Sequence, residues 1–305
     1  MNKKKVVAMI ACMTMAVSMV GCSSNSTSTT AAAAQTTAAA ETTAAETTTE
    51  AETTTEAETS AEETSVPEEV ASGEEILFSD INLAGYKYVD ISHLVEAEMP
   101  ADPALKLPEL NFFSQIGTDD AMYNLEVISY CPHTGTHMDA PFHVLEEEGT
   151  IESVDPTVLI GPACIIRLDV DGDYEITVDN VKNWEAEHGE IQPGEAVMFD
   201  TNHDKIWESD PQEYITNYPH LVAETAEYLV QKGARFVGCE AISPDTSEPV
   251  CHKILLGGGT EVVENVCNLD QVEADRCYVV ATFANVQGST GVWTRCWLIT
   301  SKKSL

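Results

Sequence analysis

From residue 23 to residue 75 the chain is written almost entirely in Ser, Thr, Ala and Glu, with no aromatic side chain. Such a stretch has too little apolar surface to offset the entropy of ordering it. Its local Ala-Glu-Thr-Thr repetition, clearest from Ala45 to Thr55, is low complexity and too short and polar to build a stacked repeat fold. Twelve glutamates and no lysine or arginine fall within it, so its like charges repel and favour an extended, solvated tether. Any hydrophobic core must therefore come from residues 76–305, a length that suits one large domain.

The chain starts with Lys3, Lys4 and Lys5, followed by an apolar run from Val6 to Val20. Residues 1–21 thus read as a signal segment, too short to favour a stable membrane-spanning helix. The run closes on Met19-Val20-Gly21-Cys22, which resembles the lipobox of bacterial lipoproteins. That resemblance implies cleavage before Cys22 and lipidation of its sulfur, with residues 22–75 a disordered tether. The chain is then expected outside the cytoplasm, lipid-anchored to the bacterial cell membrane. Plain secretion, with Cys22 an ordinary residue, is the other reading.

The formal net charge is −36, and the tether's glutamates account for only a minority of it. So acidic a domain repels nucleic-acid phosphates and anionic membrane surfaces. This excludes a nucleic-acid partner and leaves the lipid as the only membrane contact. Seven cysteines follow the signal region, an odd number without a CxxC pair. They read as small core residues rather than as a disulfide framework or a zinc knuckle.

Within the folded part, Tyr86–Ser92, Tyr123–Tyr130, Ala163–Asp169, Ala196–Asp200, Arg235–Cys239, Tyr278–Phe283 and Val292–Ile299 read as strands. Thr177 caps a helix that runs to about His188 and stops at Gly189. Pro219 is expected to open a second helix carrying Leu221, Val222, Leu229 and Val230, with Gly233 as its stop. The mixture predicts an α/β domain with mixed sheets and antiparallel pairing near the C-terminus.

The chemistry concentrates in His133-Thr-Gly-Thr-His-Met-Asp-Ala-Pro-Phe-His143. His133, His137, Asp139 and His143 are separated by even offsets, which on an extended strand send side chains to one face. Gly135 would leave room there, and Pro141 would break the ladder and release His143 from the strand line. Two imidazoles and a carboxylate converging suit zinc, with manganese or iron as alternatives. Surface histidines on a loop are the bland alternative, but three imidazoles within eleven residues beside an aspartate are hard to explain by packing. No Gly-x-Ser-x-Gly elbow is present, and Gly257-Gly-Gly259 lacks the lysine and helix of a phosphate loop.

The same string matches, at every fixed position, the HxGTHxDxPxH signature of the metal-dependent hydrolases of the cyclase family, which includes bacterial kynurenine formamidases and isatin hydrolases. Asp90-Ile-Ser92 with Met99-Pro100 resembles the family's first strand and substrate-side loop. His252, followed by Val263-Glu264-Asn265, resembles its late metal-binding stretch. The resemblance spans about residues 86–300. It implies a swivelling β/β/α-type single domain, usually a homodimer. It also implies a divalent metal, zinc or manganese, as one or two ions. His133, His137, Asp139, His252 and Glu264 would be ligands, and His143 the general acid/base. The implied reaction is hydrolysis of an amide, formamide or lactam bond in a small molecule. Ala101-Asp-Pro-Ala104 and Gly238-Cys-Glu-Ala241 depart from the family's kynurenine formamidases, which argues against N-formylkynurenine as substrate. Lactone hydrolysis or isomerisation on the same site is a rival. So is a tethered lipoprotein that binds a ligand or metal without catalysis, although such a binder has no need of His143.

Overall fold

The computed structural model describes residues 85–118 and 120–301. The signal segment, Cys22 and the tether lie outside the described residues, as does the start of the predicted domain, residues 76–84. The described chain is a mixed α/β domain built on one large sheet.

Strands β1 (Tyr86–Asp90), β4 (His137–Asp139), β5 (Ile160–Arg167), β7 (Ala196–Asp200), β9 (Phe236–Cys239), β10 (Glu261–Glu264), β11 (Arg276–Phe283) and β12 (Gly291–Ser301) form that sheet. Their order is β1-β12-β11-β5-β7-β9-β10-β4, and β4 also pairs with β12, so the sheet closes on itself. β5, β7, β9 and β10 run parallel, whereas β1, β11, β12 and β4 pair antiparallel. Closure explains why β5 alternates so weakly in sequence, because both of its faces are buried. Ala163 and Ile165 join Met198, Phe236, Val263, Val279 and Leu298 inside the ring. Cys164 and Ile166 face outward with Val197, Phe199, Val237 and Val262 onto a helical layer.

The helices are α1 (Val178–His188), α2 (Pro211–Thr216), α3 (Ala223–Lys232) and α4 (Val250–Gly257). α1 starts as expected, with Asn180 Oδ1 accepting from the backbone and hydroxyl of Thr177, and turns out at Gly189. α3 ends at Gly233, which takes a left-handed conformation. The expectation for Pro219 is corrected. His220 and Leu221 form the short strand β8, paired with β6 (Glu175–Ile176), and the helix begins only at Ala223. The competing partners are explicit, since His220 N–H donates to Tyr174 O and Leu221 N–H to Pro244 O.

β2 (Glu109–Ser114) and β3 (Leu125–Ser129) form a separate antiparallel hairpin. Leu110, Phe112, Phe113, Leu125, Val127 and Ile128 are all exposed on it. All seven cysteines among the described residues are free, and five are buried.

Candidate metal centre

Four segments of the chain meet in one cluster. The first is the turn before β4. Here the strand expectation needs correction, because only His137 and Asp139 lie on a strand. Gly135 has a φ of +61°, a left-handed turn that sets His133 off the strand line. His143 sits in a short 3-10 turn begun by Pro141. The side chains nevertheless converge. His133 needs a glycine opposite it, since a Cβ on Gly291 would come within 2.6 Å of its ring.

The second segment is β10, where Glu264 lies directly across from His137 in the antiparallel register. The third is α4, which carries His252. The fourth is the β11–β12 turn, which supplies Thr290 to His133 Nε2 at 2.8 Å.

Asp139 is the hub. Its Oδ1 lies 2.8 Å from His133 Nδ1 and 3.4 Å from His137 Nε2, and its Oδ2 lies 3.3 Å from His252 Nε2. Glu264 spans the same two imidazoles, at 3.2 Å from His137 Nε2 and 3.0 Å from His252 Nε2. The structure thus brings together all five residues that the sequence nominated as ligands. His143 stands beside them, stacked on His133 with ring centroids 3.9 Å apart and edge-on to His252 at 5.5 Å.

The donor set fits a divalent cation. His137 Nε2, His252 Nε2 and Asp139 Oδ2 are buried and make no hydrogen bond, a costly state for polar atoms that are not aimed at a ligand. One donor atom each from His133, His137 and Asp139 lies within 4.8 Å of the others, and the same holds for Asp139, His143 and His252. Imidazole nitrogens and carboxylate oxygens are the ligands zinc and manganese accept.

Titration behaviour agrees with this. Burial opposes charge on His137, yet Asp139 and Glu264 overcome it and push its pKa up to about 10. His252 is likewise held well above its ordinary value against burial, by Asp139, Asp245 and Glu264. Burial opposes ionisation of Asp139, but the surrounding imidazoles hold it well below the usual range. Without a cation, protons on the rings therefore balance the two carboxylates. His143 moves the other way. Although His143 is the exposed imidazole of the group, desolvation where its ring packs on His133 lowers its pKa, and the pull of Asp139 does not restore it.

Two further groups fix the ring orientations. His137 Nδ1 donates to Gly135 O at 2.8 Å, a carbonyl that also accepts from Asn265 Nδ2 at 3.1 Å. His252 Nδ1 donates to Asp245 Oδ2 at 2.7 Å, and Asp245 also accepts from the backbone N–H groups of Cys251 and His252. Each imidazole thus presents Nε2 inward.

A family model described as "Putative cyclase" matches residues 89–246. The chain belongs to the cyclase family. An isatin hydrolase of Roseibium aggregatum is 28% identical over 217 residues, 64% of this chain and 82% of that protein. A kynurenine formamidase of Bacillus cereus is 33% identical over 153 residues, 49% of this chain and 67% of that protein. Among solved structures, isatin hydrolase A from Labrenzia aggregata bound to benzyl benzoate superposes with a TM-score of 0.67 at 22% identity, covering 73% of this chain and 97% of that one. The family match ends before His252 and Glu264, so their place in this cyclase-family site rests on geometry.

Asp245 was missed in the sequence. A histidine ligand ordinarily donates its second nitrogen to a carboxylate or carbonyl, which was the available signal, but the chain holds 51 Asp and Glu and none stands out by spacing. Asp245→Asn should keep the fold and weaken metal affinity about 10- to 100-fold, measured by competition with a chromogenic chelator. An unchanged affinity would show that Asp245 does not orient His252. Glu240, within the departing segment 238–241, has a structural role. Its Oε2 accepts from Thr201 N, Thr201 Oγ1 and His203 N, which ties down the turn after β7. His203 is neither a cleft residue nor a solvent-exposed one, for it is buried against Tyr214 with Nε2 bonded to Tyr214 O at 3.0 Å. Cys251 packs into the core.

Proposed function

We propose that this chain is a metal-dependent hydrolase that cleaves an amide, formamide or lactam bond of a small molecule. The observation that carries this reading is the pairing of a buried donor set, in which His137 Nε2, His252 Nε2 and Asp139 Oδ2 make no hydrogen bond, with the imidazole of His143 at the edge of a cleft. His133, His137, Asp139, His252 and Glu264 would hold one or two divalent ions, zinc first and manganese second. A bound ion would acidify a water molecule and polarise the substrate carbonyl.

The chain's own residues supply the rest. Because desolvation against its neighbours lowers the pKa of His143, its ring favours the neutral form at neutral pH and can accept a proton. It can then deliver that proton to the departing nitrogen. Asp245 and Gly135 O hold His252 and His137 in fixed tautomers, so neither competes with His143 as base. The relatives named above, an isatin hydrolase and a kynurenine formamidase, support a lactam or formamide as the bond class. Metal analysis of the purified full chain, followed by hydrolysis assays on formanilides, isatin-like lactams and lactones, tests the reading. We expect about one to two equivalents of zinc or manganese and turnover of the formanilide or lactam. Turnover of lactones alone would move the reaction to the ester class, and no turnover with metal retained would favour a binding protein.

We further propose that two chains pair. The exposed apolar faces of the β2–β3 hairpin support this, because a two-stranded hairpin is marginal without further packing. Light scattering of the wild type against Phe112→Ser/Phe113→Ser checks it. The lipobox resemblance supports an anchor on Cys22, with the domain outside the cytoplasm, and release of Cys22→Ser from the membrane fraction is the corresponding check.

A further inference from the structure

The cleft over the cluster encloses about 380 Å³, and among the described residues that line it there is no lysine or arginine. Its acids are Asp102, Asp245 and Glu264. A single divalent cation would balance Asp139 and Glu264. Asp245 then remains, its carboxylate accepting hydrogen bonds from Cys251 N, His252 N and His252 Nδ1, and so does Asp102, exposed on the cleft wall. The nearest lysine along the chain, Lys106, is engaged elsewhere, 2.9 Å from Ser129 Oγ and 3.3 Å from Glu109. The rest of the wall is neutral, with Leu105, Ile242 and Tyr218 beside the hydroxyl of Ser243. The chain as a whole carries −36, so the long-range field has the same sign as the local one.

We infer that this cleft selects by charge: it admits a small neutral or amine-bearing carbonyl compound, disfavours one bearing a carboxylate, and expels the acid that hydrolysis creates, with Asp102 as the specificity-determining side chain. The inference rests on the hydrolase reading. In that reaction the water oxygen bonds to the carbonyl carbon and the C–N bond breaks. One water proton passes through His143 to the nitrogen, and the new acid loses the other to solvent. A negative charge therefore appears only after the bond is cut, in a cleft with two carboxylates and no lysine or arginine to hold it. The product thus carries toward this wall a negative charge that the substrate lacked, which favours its exchange for fresh substrate.

The test compares formanilide, 4-formamidobenzoate and 4-(aminomethyl)formanilide on the zinc-loaded full chain. The para position keeps the added charge away from the formyl group. At low salt the benzoate should show a kcat/KM about three- to tenfold below that of formanilide, lost mainly in KM. The gap should close as ionic strength rises toward about 0.5 M. Asp102→Lys should raise the benzoate-to-formanilide ratio by a similar factor. Calorimetric binding of the three compounds to zinc-loaded His143→Ala gives the same order without turnover. If none is hydrolysed by the wild type and the binding order holds, the hydrolase reading fails and charge selection stands. If the benzoate binds, or is turned over, at least as well as formanilide at low salt, charge selection is overturned whatever the reaction.

Discussion

Asp139→Ala should abolish metal retention and lower turnover by about three orders of magnitude or more. Asp139 is the carboxylate that touches the most imidazoles. Asp139 reaches His133, His137 and His252, whereas Glu264 reaches only the last two. Its removal leaves three imidazoles with one carboxylate between them. Asp139→Asn keeps the shape and removes the charge, so it separates loss of packing from loss of ligation, and it too should come off a desalting column without metal.

The wild-type site should also declare itself through protons. With His137 pushed up to about 10 and His252 held well above its ordinary value, both rings carry protons at neutral pH in the cation-free chain. An ion requires them neutral, so uptake releases protons, and affinity rises with pH and weakens as pH falls. Calorimetry in two buffers of different ionisation heat measures the release. Metal retained by both Asp139 variants, or uptake without proton release, would rule out this cluster as the binding site.

His143→Ala should do the opposite to the metal and much the same to the chemistry. Its ring stacks on His133 at the exposed side of the cluster, outside the set that Asp139 and Glu264 bridge. Metal content should stay at the wild-type level while kcat falls about 10²- to 10⁴-fold, the range for losing a positioned acid/base. The pH profile adds a signature that a merely structural residue lacks. As a base His143 must be neutral, so wild-type kcat/KM should fall as pH drops through a midpoint below 6.5, and the variant should lack that limb. Loss of metal in His143→Ala would instead make it a ligand, which its proximity to Asp139 and His252 permits sterically.

The sequence revealed the site more fully than it did the path of the backbone through it. His133, His137 and Asp139 were readable because three coordinating groups crowd into one short segment. The shared strand face that even spacing predicts holds only for His137 and Asp139, because nothing in the spacing announces that Gly135 adopts a left-handed turn. His252 and Glu264 were readable by resemblance alone, since spacing cannot show that α4 and β10 fold back over β4. α4 itself has no clear helical signal in the sequence. It is eight residues long and followed by Gly258 and Gly259, so its apolar run lacks the length that distinguishes a helix from a buried strand. The false helix start at Pro219 has a similar origin. Proline suits a first helical turn, but partners distant in sequence, Tyr174 and Pro244, claim the next two residues. β5, β7, β9, β11 and β12 were legible because β-branched and apolar residues run between clear turn signals, whereas the short β6, β8 and β10 were not. Closure of the sheet was not, because it depends on a pairing between β4 and β12 that no local pattern encodes.

That pairing has a mechanical consequence. β4 is only three residues long, yet it is the stave that joins β10 to β12 and seals the barrel. Two of its three side chains, His137 and Asp139, point into the metal cluster, and the third, Met138, plugs the interior. An ion seated there would rivet the short seam that closes the barrel, so occupancy and closure become one equilibrium. Each tenfold excess of ion over its dissociation constant would deepen the closed state by about 1.4 kcal/mol. Amide exchange at Met138 and its partner Val263 should slow in step with metal concentration, and exchange indifferent to the ion would mean that the seam holds by itself.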